Sequence, residues 1–121
     1  MTSFLFSILL ALTAAQADLP ESNGNATGYA TPDDALRALR ADRTVSESNQ
    51  DGWLIFQDRG HSAIWSFPPK EHPAFPSAVK REFLERNGAV YVQTRVQCGA
   101  TKKACDQLVR DFQALNQRMS E

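Results

Sequence analysis

The apolar positions of this chain change period several times, and each change marks an element. Residues 4–15, "FLFSILLALTAA", are almost wholly apolar and uncharged, and a small-x-small "AQA" follows at Ala15, Gln16 and Ala17. That is the pattern of a secretory signal peptide over residues 1–17, cleaved after Ala17. The run is too short to span a bilayer comfortably and has no flanking charge cluster, so no stable membrane insertion is expected after cleavage. Residues 18–30, "DLPESNGNATGYA", have no apolar period and read as a flexible leader.

A single small domain is expected over residues 31–121. Thr31 can cap a helix, Pro32 suits its first position, and Asp34 stands three residues after the cap. Leu36 and Leu39 give this helix a short apolar stripe through "DDALRALRADR". It is too short to persist without packing.

The period then shortens. Trp53 and Ile55 alternate with Leu54 and Phe56, a polar "QDRGH" follows, and Ala63, Trp65 and Phe67 alternate with Ser62, Ile64 and Ser66. This predicts a β-hairpin connected through Gly60, with one face of its second strand turned to the core. "PPKEHPAFP", residues 68–76, holds four prolines in nine positions and cannot be a central strand. It is an excursion between elements.

Asn87-Gly88 is the strongest short signal for a type I′ turn, and Val90, Val92, Thr94 and Val96 alternate beyond it. Counting outward pairs Arg86 with Ala89, Leu84 with Tyr91 and Phe83 with Val92. A long twisted hairpin is therefore favoured over a helix for residues 78–86, although "AVKREFLER" has good helix formers. In the last segment Cys105, Leu108, Phe112, Leu115 and Met119 recur at spacings of three and four, the stripe of an amphipathic helix, widened by Val109 and capped by Thr101.

This order predicts an α+β fold: a four-stranded antiparallel sheet packed on one face by a long C-terminal helix, with a short N-terminal helix. The uncovered sheet face is expected to be polar or an interface.

Composition narrows the partners. Thirteen basic residues against fourteen acidic ones argue against nucleic acid or an anionic membrane as the main partner. The two cysteines, Cys98 and Cys105, fall at a strand end and in the first turn of the helix that covers it, which predicts a disulfide in an exported domain. A redox pair needs two residues between its cysteines, and here there are six. A zinc site needs four ligands, and His61 and His72 lack ligand spacing, so neither metal nor cofactor is expected.

Candidate chemistry is sparse. Asp58, Arg59 and His61 cluster at a turn, but nothing in the sequence orients the imidazole, and Ser62 or Ser66 as nucleophile lacks a base on its own face. No Ser-His or Asp-His pair organised for catalysis is expected, and the chain is read as not an enzyme. The candidate binding residues are Trp53, Trp65, Phe67, Pro68, His72, Phe75 and Tyr91: two tryptophans on one hairpin as a cross-strand pair, and a proline loop whose rigidity lowers the entropy lost on docking. The resulting expectation is a small periplasmic or secreted protein-binding domain, inhibitor-like or immunity-like, with another exported or envelope protein as partner. The alternative is a periplasmic binder of a small ligand or envelope glycan.

Overall fold

Two turns of the same chemistry organise the sheet in the computed structural model, which describes residues 26–119. Asp51-Gly52 and Asn87-Gly88 each place both residues at positive φ, 53° and 88° in the first, 54° and 80° in the second. Two consecutive left-handed residues make the turn whose twist matches that of flanking strands. The first joins β1 (Val45–Gln50) to β2 (Trp53–Asp58); the second joins β4 (Ser77–Arg86) to β5 (Ala89–Cys98). Between the hairpins a short 3-10 turn, Arg59–His61, leads from β2 into β3 (Ala63–Phe67). The strands lie side by side in chain order, all antiparallel.

The sheet thus has five strands, where the sequence pattern predicts four. β1 reads "VSESNQ" and is exposed at every position but Val45, so it lacks the apolar alternation that marks a half-buried strand. Elsewhere the expected pairing holds: Arg86 faces Ala89, Leu84 faces Tyr91 and Phe83 faces Val92. Residues 78–86 are strand throughout.

Helix α1 (Pro32–Ala41) begins as its capping signal predicts, with Thr31 Oγ1 accepting from the Asp34 amide at 3.1 Å. Its buried Ala35 and Leu39 pack on Phe56, Trp65, Phe67 and Ala78. Helix α2 (Lys102–Met119) is held at its start by Thr101, which accepts from the Ala104 amide at 3.2 Å. Leu108 and Phe112 pack on Ala74, Val79 and Val96. Because strand residues alternate between faces, Trp65, Phe67 and Ala78 belong to one side of the sheet and Val79 and Val96 to the other. The expectation of a sheet covered on one face is therefore corrected: each face carries a helix and its own apolar core. The short amphipathic stripe of α1 is enough to cover the shorter strands.

The two tryptophans of the first hairpin separate accordingly. Trp65 stands opposite Phe56 under α1, whereas Trp53 lies on the α2 side, 5.9 Å from the Phe112 ring. They make no cross-strand pair. Cys98 and Cys105 form the expected disulfide, with Cα atoms 5.8 Å apart, fastening the end of β5 to the first turns of α2. Of the leader expected at 18–30, the part from residue 26 is described: Thr27 is buried and Tyr29 packs edge-on against Trp65 at 5.9 Å. Residues 1–25, including the expected signal peptide, lie outside the described residues. Among those described, no helix is long and apolar enough to cross a membrane.

Candidate functional site

β4 and β5 are ten residues each, but β3 pairs with β4 only from Ser66 opposite Val79 to Ala63 opposite Glu82. One further hydrogen bond, from the Phe83 amide to the Ser62 carbonyl at 2.9 Å, ends the connection. Beyond it residues 83–92 continue as a two-stranded ribbon with Asn87-Gly88 at its tip. Val90 is 65% exposed and Tyr91 49%, while Phe83, Leu84 and Val92 are half-buried. Native surfaces scatter single apolar residues widely; here Phe83, Val90 and Val92 share the α2-facing side of the arm, and Leu84 and Tyr91 stand opposite each other on its other side.

β5 is also the last strand in the sheet. In a hairpin closed by two residues the pair flanking the turn exchanges hydrogen bonds and every second pair thereafter does the same. With Arg86 opposite Ala89, the backbone groups of Val90, Val92, Thr94 and Val96 point away from β4. From Val90 to Thr94 they present an open edge of donors and acceptors, whereas Val96 is fully buried. The α1 side of this edge is polar: Arg95 Nε donates to Glu82 Oε1 at 3.3 Å, and Lys80 lies 3.8 Å from Glu82 and 5.4 Å from the Trp65 ring centre.

On the α2 side the ribbon runs into Arg81, only 7% exposed. Its Nη1 lies 3.5 Å from Asn116 Oδ1 and 3.2 Å from Met119 Sδ, and its guanidinium carbon stands 5.4 Å from the Phe112 ring centre. Burial pulls the guanidinium's pKa below its ordinary value. Asn116 is fixed in turn by donating to Thr94 Oγ1 at 2.8 Å.

A second feature lies under α1. His61 Nδ1 is 2.8 Å from Asp58 Oδ2, with the carboxylate buried and the imidazole 74% exposed. The 3-10 turn between them stacks residues three apart on one side, so Asp58 orients the ring, a relation the polar "QDRGH" did not disclose. The expectation that nothing orients the imidazole is corrected to that extent. The pair borders a recess of about 310 Å³ lined also by Tyr29, Asp42, Trp65 and Lys80. Asp42 there is held below the usual carboxylate range, chiefly by the Thr44 hydroxyl and amide that donate to it, with a smaller contribution from His61. No serine joins this pair: Ser62 caps the turn in a left-handed conformation, and Ser66 is buried on the opposite sheet face, not exposed as its alternation suggested. Among the described residues no group of three or more acidic, histidine or cysteine side chains is placed to hold a metal ion.

The sequence-derived binding candidates are dispersed. Trp65, Phe67 and Pro68 are buried, and Trp53 is half-buried against Phe112 and His72. His72 Nδ1 accepts from the Ala74 amide at 3.0 Å, which fixes the proline loop from within. Phe75 is exposed, while its neighbour Ala74 is buried with Val79 and Val96. Tyr91 alone of the set lies on the ribbon. Val90, Phe83 and Arg81 were missed, although their alternation around Asn87-Gly88 was readable, because nothing in the pattern says where β3 stops. Comparisons with protein-family models, with curated proteins and with solved structures each found no match.

Proposed function

We propose that this is a non-enzymatic protein-binding domain, exported and inhibitor-like or immunity-like, whose contact surface is the β4–β5 ribbon with the adjoining edge of β5. The observation that carries it is the projection of residues 83–92 past β3 with Val90 and Tyr91 exposed at the tip. An arm of this kind offers apolar anchors and unpaired backbone groups together, the combination used by strand-addition interfaces. The disulfide supports an oxidising compartment, and the partner is accordingly another exported or envelope protein.

The test is site-specific photocrosslinking in the exporting host, with the reactive residue at Val90 and, as control, at Ser48 on β1. One discrete adduct from Val90, suppressed by Tyr91→Asp, is the expected result. Identical labelling from both positions, or none from Val90, rejects the ribbon as a contact surface.

A second reading, a binder of a small ligand or envelope glycan, draws support from the recess beside Asp58 and His61. It would use Trp65 as an edge and the two polar side chains as anchors. Tryptophan fluorescence titrated with muropeptides and small metabolites tests it; flat titrations remove it.

A further inference from the structure

Arg81 is a cation buried without a counter-charge among the described residues. The groups it engages there are neutral: the Asn116 amide oxygen, the Met119 sulfur and the Phe112 ring. Its Nε has no acceptor among the described residues. The acid next to it in sequence, Glu82, points to the opposite sheet face and is engaged with Arg95 and Lys80. The last turn of α2 lends some negative dipole to this place, and Phe112 some π density, but neither offers Nε an oxygen. A guanidinium remains charged at neutral pH even where burial lowers its pKa, and a buried charge left unpaired is strongly destabilising. A methionine or leucine would fill the same space without that penalty.

The surroundings indicate what supplies the missing charge. Ile64 stands directly opposite Arg81 on β3, Phe83 follows it on the same face of β4, and Val92 pairs with Phe83. These three are half-buried, and Met119, closing the shelf at the end of α2, is 50% exposed. The shelf is continuous with the α2-facing side of the ribbon. We infer that it receives a carboxylate from the partner protein, an aspartate or glutamate side chain set between apolar neighbours in the docking segment. This rests on the protein-binding reading and adds what the partner presents. The planar guanidinium donates two parallel hydrogen bonds to a carboxylate, here from its Nη groups because Nε is enclosed, and the apolar neighbours exclude the water that would weaken them. A free fatty acid shares the head group, but its tail calls for an enclosed channel, and these side chains form an open shelf.

The Nε–H of Arg81 is itself a reporter, because burial slows its exchange with water and keeps its guanidinium resonance observable. The experiment titrates the isotope-labelled exported protein with Ac-Leu-Glu-Leu-NH2, Ac-Leu-Gln-Leu-NH2 and decanoate. The glutamate peptide is expected to move Arg81 Nε–H and the signals of Ile64, Phe83 and Val92 saturably, with affinity at least about tenfold above that of the glutamine peptide. Arg81→Met should erase the difference. Should that variant not fold, Val92→Ser, on the ribbon, should weaken binding of the glutamate peptide while leaving the free Arg81 signal in place. Equal affinity for the two peptides, no saturable shift with either, or a response to decanoate alone overturns the inference. So does a shift of the free Arg81 signal in Glu121→Gln, which would make the chain's own end the source of the charge. Crosslinking at Val90 reads the ribbon independently: adducts there with indifferent peptides would leave the protein-binding reading standing and this inference fallen.

Discussion

Gln97 on β5 holds Thr27, 70 residues earlier in the chain, through a hydrogen bond from Thr27 Oγ1 to Gln97 Oε1 at 3.0 Å. The same side chain donates from Nε2 to the carbonyls of Tyr29 and Ala30, at 2.9 Å each. One buried amide thereby seats the segment that delivers α1 to its face of the sheet. Gln97→Ala strands two carbonyls and a hydroxyl, and should lower stability by about 2–4 kcal/mol. Urea unfolding would measure it, and exchange of the Tyr29 and Ala30 amides should rise together with the loss.

The disulfide closes a loop of eight residues between β5 and α2. Chain entropy assigns such a loop about 2.5 kcal/mol at 25 °C. Reduction, or the double change Cys98→Ala with Cys105→Ala, should cost about that much, read as a lower urea midpoint at unchanged slope. A thiol assay on the natively exported protein should find no free thiol before reduction.

Asp42 gives the acid limb of stability a local contribution. Its carboxylate accepts from the Thr44 hydroxyl at 2.6 Å and from the Thr44 amide at 2.9 Å, and both favour the charged form. The folded pKa is therefore depressed, so the stabilisation is present above the unfolded pKa, near 4 or just below, and is lost as pH falls through the folded value. A carboxyl-detected NMR titration should place Asp42 below the ordinary aspartate value. Thr44→Val should move it back up.

His61 is mostly exposed, and its partner Asp58 is not part of the ribbon. Under the protein-binding reading His61→Ala and His72→Ala, made singly, should leave partner binding within a factor of about two. A hundredfold loss in His61→Ala, measured by the same crosslinking yield, would move the function to the recess under α1.

Gly88 at φ 80° has open space where a side chain would begin, so only the backbone conformation resists substitution there. Gly88→Val should destabilise the ribbon tip by about 1–2 kcal/mol, through the strain of a β-branched residue in the left-handed region. Thermal unfolding of the whole domain should shift less than exchange of the Tyr91 amide, which is bonded across to Leu84, because the tip lies outside both cores.

Local signals were legible wherever the chemistry is local. Thr31 and Pro32 announced α1, Asn87-Gly88 set the register of β4 on β5, and the spacing from Cys105 to Leu115 set the buried stripe of α2. Asp51-Gly52 was an equally readable turn, and with it β1 could have been found despite its polar composition. What failed was long-range. Nothing in "AIWSF" says that Trp65 faces α1 while Trp53, on the neighbouring strand, faces α2, nor does the stripe of α2 say that Met119 ends half-exposed. The contact surface escaped for the same reason: exposure of Val90 and Tyr91 follows from the shortness of β3, a property of another segment. Asp58 and His61 read as solvated turn residues, whereas a 3-10 turn stacks residues three apart and brings the two together.

The two rims of the sheet are unequal, and this sets a limit on growth. β1 is short and polar on both sides, and its Glu47 is tied to Arg40 of α1 by hydrogen bonds of 3.0 and 3.2 Å. β5 is long, carries apolar residues and leaves its backbone open. A molecule with a single adhesive rim can acquire one neighbour and then has nothing further to offer, so association along the sheet stops at a pair instead of running on into a fibre.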